Sequence, residues 1–132
     1  MKLLLDTNII IMLLTDDPRL SAEVDQFIDA ADEVYCSAAV IWEIAIKHSI
    51  GKLSLSPMET QKALEDTFIK PLSIAGVHAL VQLPDLHKDP FDRIQLGQAI
   101  VEGLTLLTAD NLLVQYDSTG RVVRHISDLH IK

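Results

Sequence analysis

Short apolar runs alternate with helical patterns along this chain, and the alternation constrains the fold more than any other feature. Five runs are predicted as strands: Lys2–Leu5, Val34–Cys36, Lys70–Ile74, Leu104–Thr108 and Val122–Ile126. The clearest two, the first and the fourth, are almost wholly apolar, which is typical of parallel strands covered on both faces. A helix between two such strands brings the chain back to the starting edge of the sheet, so that the next strand runs in the same direction as the one before. The pattern therefore predicts an α/β fold: a three-layer α/β/α sandwich around a central parallel sheet of four to five strands.

Helical patterns fill the intervals between these runs. They predict helices over Ile9–Leu14, Ser21–Ala31, Ala38–Ser49, Met58–Phe68, Ala75–Leu83, Phe91–Glu102 and Asn111–Tyr116. Ser37 is expected to cap the third helix, because a serine side chain accepts hydrogen bonds from the first backbone N–H groups of a helix. Gly103 is expected to end the sixth, since glycine adopts a left-handed C-cap without steric cost.

The predicted helix Ala38–Ser49 contains an unusual acid. Its sequence is apolar almost all round, so the whole helix is expected to be buried, yet Glu43 lies in its middle. A buried carboxylate is costly unless it is paired, hydrogen-bonded or bound to a cation. Lys47, four residues later, offers an ion pair. A bound metal ion is the other solution, and the two interpretations are compatible.

Composition limits the class of protein. With 132 residues, of which 48% are hydrophobic, the chain is predicted to form one globular domain over residues 1–132. The formal net charge of −8 argues against a protein that coats DNA or binds anionic membranes, because both need clustered lysine and arginine. No apolar run approaches the roughly 18 residues of a membrane span. Cys36 is the single cysteine and allows no internal disulfide, which fits a reducing, cytoplasmic compartment.

Three further acids lie where strands and helices meet. Asp6 and Asp110 come just after two predicted strands, and Asp92 begins the helix that leads into the strand Leu104–Thr108. Sites in open α/β sheets form beyond the carboxyl ends of the strands. Crossover helices run antiparallel to the strands, so the start of the Asp92 helix is expected at the same rim. Together with Glu43, the chain is thus predicted to place four carboxylates at one rim of the sheet.

Helix capping is an alternative explanation for part of this set. Asp89 is a favourable N-cap, Pro90 suits the first helical position, and Asp92 at the third position completes a pair that resembles a capping box. Asp110 can likewise cap the helix that follows it. Capping and a shared functional site both remain open for these residues.

Four carboxylates at one rim suggest a metal site. Like charges raise one another's pKa values, and divalent cations relieve the repulsion. Ligands that are all oxygen suit Mg²⁺ or Mn²⁺, with one or two ions, whereas the five histidines show no spacing typical of zinc. Two metals about 4 Å apart can clamp the attacking and leaving oxygens of a phosphodiester. Lys47 and Arg93 are candidates for holding a phosphate beside the metal, or are simply surface charges.

The order and spacing of four segments resemble a PIN-domain protein of the VapC toxin type. These segments are Leu3–Asn8, Ser37–Lys47, His87–Arg93 and Gly103–Asp110. The resemblance covers nearly the whole chain and implies a single PIN-like nuclease domain. It also implies an endoribonuclease that depends on Mg²⁺ or Mn²⁺ and hydrolyses RNA, held inactive by a cognate antitoxin. The resemblance, together with the apolar stretch Phe68–Leu83, also predicts a homodimer.

Residue by residue, the resemblance implies that Asp6, Glu43, Asp92 and Asp110 are the catalytic and metal-binding acids. Asp89 is then an accessory residue or a cap. Thr7 and Thr108, beside or near these acids, are implied to hydrogen-bond water on the metal, while the substrate contacts of Lys47 and Arg93 remain the expectation from phosphate chemistry given above. The chain departs from close relatives at Asn8, where they often have histidine.

Proteins of other functional classes share some of these sequence features. A phosphatase of the haloacid-dehalogenase type needs a second aspartate two residues after the first, where this chain has Asn8. A response-regulator receiver domain needs adjacent acids just after the first strand, and Asp16 and Asp17 come too late. A non-catalytic PIN-like binding module shares the fold but predicts no metal dependence. The sequence names no RNA target.

Overall fold

A parallel sheet forms the centre of the molecule. The computed structural model describes residues 1–74, 89–116 and 122–129. Its strands are β1 (Lys2–Leu5), β2 (Glu33–Ser37), β3 (Lys70–Leu72), β4 (Thr105–Thr108) and β5 (Val123–His125). Every neighbouring pair is parallel, and the strand order is β3-β2-β1-β4-β5. The predicted parallel sheet of four to five strands is confirmed, with five strands.

Six helices connect these strands in the described part of the chain. They are α1 (Thr7–Leu14), α2 (Ala22–Asp29), α3 (Ala38–Ser49), α4 (Pro57–Glu65), α5 (Pro90–Glu102) and α6 (Asn111–Val114). The predicted helix over 75–83 lies outside the described residues. Helix α4 ends three residues before the predicted Phe68, because Asp66 serves as its C-cap and the chain then turns into β3. Serine or aspartate caps every one of these helices at its N-terminus.

Alternate residues of β1 enter two separate apolar cores. Leu3 and Leu5 are fully buried on one face of the sheet, where they share a core with side chains of α1, α2 and α3. Leu4 is fully buried on the other face, where it packs with side chains of α5 and α6. Because successive side chains of a strand point to opposite faces, one strand supplies both cores. The sheet therefore lies between two helical layers, as predicted.

Helix α3 is buried on one side only, so the prediction that it is buried all round is wrong. Ala39, Val40, Glu43 and Ile44 are buried, whereas Trp42 is 52% exposed and Ile46 is 40% exposed. A helix that lies in an outer layer presents one face to the sheet and to α1. Apolar composition does not decide what covers the opposite face, since folded proteins expose many apolar side chains.

Gly103 ends α5 in the left-handed conformation, with φ at 68°. A Cβ at this position would meet no atom within 4 Å, so the backbone angle alone penalises substitution. We expect Gly103→Ala to lower the free energy of unfolding by about 1 kcal/mol, and Gly103→Asn to lower it less, because asparagine tolerates this conformation. Urea denaturation of both variants measures the difference. Equal losses for the two would show that the backbone angle is not the cause.

In the described part of the chain, every helix is too short or too polar to pass through a lipid bilayer.

The sheet order decides where a site forms. Parallel strands end at the same edge, and β2, β1 and β4 are neighbours. Asp6 follows β1, Ser37 ends β2 and Thr108 ends β4. Polar residues at these three strand ends are therefore brought together by topology, although they are far apart in the sequence.

Candidate active site

Asp6 lies at the centre of this edge and is 1% exposed. It is the N-cap of α1, and its Oδ1 accepts a hydrogen bond from the backbone N–H of Ile9 at 2.9 Å. Its Oδ2 accepts a short hydrogen bond from the hydroxyl of Thr108, at the end of β4. Thr108 Oγ1 in turn accepts from the backbone N–H of Asp110 at 2.9 Å. Both oxygens of a buried carboxylate are thus held in fixed directions.

The electrostatic environment of Asp6 connects it to two other predicted acids. Burial raises the pKa of Asp6 from 3.8 to about 7, against the lowering effect of the hydrogen bonds from Thr108 and Ile9. The negative charges of Asp92 and Asp110 raise it further. Asp92 and Asp110 therefore each lie within electrostatic range of Asp6, and the three acids are called here the carboxylate cluster.

Glu43 is the fourth predicted acid and is 4% exposed. Its Oε2 forms an ion pair with Lys47 Nζ at 2.6 Å, so the predicted i,i+4 pair is present. Its Oε1 accepts a hydrogen bond from Thr7 Oγ1 at 2.6 Å. A buried carboxylate with a cation on one oxygen and a hydroxyl on the other has its charge well compensated by the protein itself.

Lys47 links Glu43 to the start of α5. The hydrogen bond to Glu43 raises the pKa of Lys47 first, and the charges of Glu43, Asp89 and Asp92 add to the effect. The ammonium group therefore lies within the field of acids from two helices, and it remains positively charged. Among the predicted substrate-binding residues, Arg93 is engaged differently, because its Nη1 donates to the hydroxyl of Tyr116 at 3.2 Å.

Two of the predicted caps are present. Asp89 caps α5 and accepts from the backbone N–H groups of Phe91 at 2.9 Å and Asp92 at 3.3 Å. Asp110 caps α6 and accepts from the backbone N–H of Leu112 at 2.8 Å. Asp110 is thus a cap and a member of the carboxylate cluster at once, so the two interpretations of this residue do not compete.

The hydroxyls of Thr7 and Thr108 donate to carboxylates of the protein. Thr7 donates to Glu43, and Thr108 donates to Asp6. Contact of either threonine with water on a metal stays a prediction. What the structure assigns to both residues is the orientation of an acid.

The site has a buried glutamine that sequence reasoning missed. Gln95, on α5, is fully buried, and its Nε2 donates to Thr7 Oγ1 at 3.2 Å and to the backbone carbonyl of Phe91 at 3.3 Å. Its Oε1 lacks a partner within the described residues. A polar residue three positions after Asp92, on the inward side of a helix, was the available signal. Gln98, one turn later, braces the neighbouring strand ends by accepting from Ser37 and donating to the carbonyl of Ser73.

The carboxylates of the site suit a hard divalent cation that makes only a few direct contacts with the protein. Across residues 1–74, 89–116 and 122–129, no three or more His, Cys, Asp or Glu side chains approach closely enough to enclose a metal. Mg²⁺ generally keeps several waters and binds proteins through one or two carboxylates. The ligand atoms available are carboxylate oxygens, and a cation beside Asp6 would offset the repulsion that Asp92 and Asp110 exert on it. The donor set therefore fits Mg²⁺ or Mn²⁺ better than a softer metal.

The high pKa of Asp6 predicts a stability that changes with pH in metal-free protein. The folded carboxyl has a pKa of about 7 against 3.8 for the ordinary group, so folding takes up a proton between these values. The stability present at low pH is therefore lost as pH rises from about 4 to about 7, by up to about 4 kcal/mol at 1.36 kcal/mol per pH unit. In urea denaturation with EDTA, Asp6→Asn should remove this part of the slope and unfold at higher urea than the wild type at pH 8. Parallel pH profiles for the two proteins would contradict it.

Several solved structures share this fold. VapBC2 from Rickettsia felis, solved with a DNA fragment from its promoter, matches with a TM-score of 0.70 at 16% identity, over 95% of this chain and 98% of that chain. DNA-bound VapBC from Salmonella typhimurium matches with a TM-score of 0.65 at 17% identity, over 95% and 98%. FitAcB from Neisseria gonorrhoeae matches with a TM-score of 0.60 at 20% identity, over 98% and 99%. At these identities the likeness concerns the fold.

Sequence comparison assigns the family. No curated protein matches the chain significantly. The family model of the PIN domain matches residues 3–118, a range that includes all but the first residue of β1, the whole of β2 to β4 and all four predicted acids. By this match over most of its length, the chain belongs to the PIN domain family.

Proposed function

We propose that the protein is an endoribonuclease that depends on Mg²⁺ or Mn²⁺ and acts as the toxin of a toxin–antitoxin pair. The observation that carries the proposal is Asp6, a buried carboxylate whose pKa is raised to about 7 by burial and by Asp92 and Asp110 at the same edge of the sheet. Perturbed acids that gather in one place are common at functional sites. PIN domains are in general nucleases, which supports hydrolysis of a phosphodiester.

Asp6, Asp92 and Asp110 would hold the cation, in part through water molecules, with Glu43 at the margin of the site. When bound, the cation would lower the pKa of a water molecule and offset charge on the phosphate oxygens. Thr108 aims Asp6, because its hydroxyl donates to Oδ2. Gln95 donates to Thr7, and Thr7 donates to Glu43, so these two hydrogen bonds orient the Glu43 carboxylate.

Lys47 is the candidate for contact with the substrate phosphate. Its ammonium group is 2.6 Å from Glu43 Oε2, and its side chain is 40% exposed. A partly exposed cation beside an acid cluster can bind a phosphate while it keeps its partner. Arg93, which donates to Tyr116, is a second candidate at the start of α5.

The partner proposals rest on the solved relatives. VapBC2 was solved bound to a DNA fragment from its promoter, and another similar structure is a toxin–antitoxin complex from Klebsiella pneumoniae. We infer a cognate antitoxin and a homodimer for this chain. Phe68 is 58% exposed and Ile74 is 40% exposed, which supports burial of this stretch in an interface. The remainder of the predicted apolar stretch, 75–83, lies outside the described residues.

The homodimer predicts a mass twice that of the chain in solution. Light scattering at micromolar concentration should return about double the 14.6 kDa of the monomer. A monomer at this concentration would contradict the dimer and leave the nuclease proposal unaffected. Expression with the adjacent reading frame, followed by co-purification, tests the antitoxin.

The nuclease proposal is tested with purified protein and labelled single-stranded RNA. We expect internal cleavage with Mn²⁺ or Mg²⁺ and none with EDTA. Cleavage that persists in EDTA would overturn the metal dependence. Several unrelated RNAs are needed, because one sequence alone tests only that sequence.

A non-catalytic binding module is the competing function, and one contact favours it. Glu43 is already neutralised by Lys47 at 2.6 Å, which lowers its need for a cation. The two functions differ in metal binding. Calorimetric titration with Mn²⁺ should show binding that Asp6→Asn weakens if the protein is a nuclease, and no binding if it is such a module.

A further inference from the structure

Trp42 is an unusually exposed aromatic residue on the helix that carries Glu43. It directly precedes Glu43 on α3 and is 52% exposed. Its ring contacts Phe91 edge-to-face, with centroids 5.1 Å apart and ring planes at 88°. Phe91 directly precedes Asp92 on α5. The aromatic pair therefore bridges the two helices that carry Glu43 and Asp92.

The surroundings of this pair restrict the direction of the tryptophan ring. Asp89 accepts from the backbone N–H of Phe91 at 2.9 Å, which fixes the start of α5 under the phenylalanine. Edge-to-face contacts favour one relative orientation of two rings. Trp42 also forms one wall of an apolar recess with Leu64 and Leu72, between α3 and α4. An aromatic surface that is exposed, oriented and flanked by open apolar space is suited to receive another flat ring.

The negative net charge of the chain indicates that a nucleic acid substrate would need contacts other than phosphate attraction, such as stacking on an aromatic ring. The chain carries a net charge of −8, so general attraction to phosphates is weak. The two candidate phosphate-binding cations already have protein partners, Lys47 with Glu43 and Arg93 with Tyr116. Proteins that bind single strands draw much of their affinity from stacking of bases on aromatic side chains. Unpaired bases are also the usual target of RNA-binding proteins, because their faces are accessible.

We propose that Trp42, braced by Phe91, is a stacking site for an unpaired nucleobase of the substrate, next to the phosphodiester that is cleaved. The inference rests on the proposed nuclease function and adds a residue that positions the substrate. A base inside a duplex already stacks on its neighbours, so the site discriminates against paired strands. Because stacking carries no charge, binding weakens with salt less steeply than in a protein that relies on phosphate contacts.

The experiment uses the fluorescence of Trp42, which is the one tryptophan in the sequence. An eight-nucleotide single-stranded RNA is titrated into the full chain in EDTA, so that binding is measured without cleavage. We expect quenching of the tryptophan emission by this RNA. An abasic oligonucleotide of the same length, and a duplex of the same sequence, should quench little. Fluorescence anisotropy of an end-labelled RNA gives the Kd of each variant.

Trp42→Leu should weaken binding by about 5- to 150-fold, the range that stacking of one base on an aromatic ring supports. Trp42→Phe should restore most of the affinity. Ile46→Ala is the matched control, because Ile46 is also exposed and lies one turn later on the same helix. Circular dichroism of each variant verifies folding.

Three results would overturn the proposal: equal quenching by the abasic oligonucleotide, equal affinity for the duplex, or a tryptophan emission that responds to protein concentration and not to RNA. The last would show that a second copy of the chain covers the ring. Failure of the nuclease proposal looks different, since RNA would then quench Trp42 while Mn²⁺ produced no cleavage. Conversely, cleavage by Trp42→Leu with an unchanged KM would retain the nuclease and reject the stacking site.

Discussion

Replacing Asp6 by asparagine is expected to lower RNA cleavage by a factor on the order of 10² to 10⁴ and to leave the fold intact. Asparagine keeps the size of the side chain and removes the charge that would bind the cation. The loss of one carboxylate from a metal site weakens the electrostatic stabilisation that such a cation gives to the phosphate, which is commonly worth several kcal/mol. Initial rates on labelled RNA in Mn²⁺, for wild type and variant, measure the effect.

The folded state should tolerate this change. In Asp6→Asn the side-chain oxygen can still accept from the backbone N–H of Ile9, and the amide nitrogen, which replaces the acceptor Oδ2, can donate to Thr108 Oγ1. The buried negative charge, which Asp92 and Asp110 repel, is gone. A loss of RNA cleavage in Asp6→Asn would therefore not be the result of unfolding.

A matched control separates the site from a general effect of charge. Asp29→Asn removes a carboxylate from the exposed last turn of α2 and should cleave as the wild type does. Added Mn²⁺ should raise the melting temperature of the wild type and of Asp29→Asn, and raise that of Asp6→Asn less, because only a bound cation stabilises the folded state. Wild-type activity in Asp6→Asn would exclude Asp6 from the mechanism.

The second large effect is expected at the Glu43–Lys47 pair, and it is asymmetric. Lys47→Met leaves the carboxylate of Glu43, whose side chain is 6% exposed, with Thr7 as its neutral partner and no cation at 2.6 Å. Breaking a fully buried pair in this way costs about 3–5 kcal/mol. The cost here should be about 1–3 kcal/mol, because the lysine side chain is 40% exposed and water already reaches the site.

Glu43→Gln should cost less stability and more activity. The glutamine oxygen still accepts from Thr7, and Lys47 can turn its ammonium group into solvent. If Glu43 takes part in metal binding, cleavage is abolished, whereas Lys47→Met lowers it less. The double variant should be more stable than Lys47→Met alone, because it no longer buries an unpaired charge. If Glu43→Gln unfolds the protein and metal affinity is unchanged, the pair is purely structural.

Local sequence patterns predicted the elements of this fold well. Strand β1 and strand β4 follow from apolar runs, and Ser37, Asp89 and Gly103 mark helix ends as predicted. These features depend on each residue and its near neighbours, so the sequence contains what is needed to place them. The predicted helix α3 shows the limit of this reasoning, because Trp42 is exposed although its neighbours in sequence are apolar.

The candidate site was predictable as a set of residue types and not as a set of contacts. The positions of Asp6, Asp92 and Asp110 at strand ends and helix starts, and of Glu43 in the middle of α3, follow from the pattern. Their grouping as family acids came from the resemblance to PIN domains. Gln95 was missed, because its place on the inward side of α5 signals burial and not which groups its amide contacts.

The sequence by itself determined the class of fold, the family and the ends of most helices, since these depend on local patterns and on the order of a few motifs. Only the tertiary structure decided the chemistry of the acids. The bonds that matter join residues distant in the chain: Thr7 and Glu43 are 36 positions apart, Gln95 and Thr7 are 88 apart, and Thr108 and Asp6 are 102 apart. A pKa near 7 for Asp6 arises from burial and from charges that three separate segments bring together. No local pattern contains those distances, because the strand order of the sheet sets them.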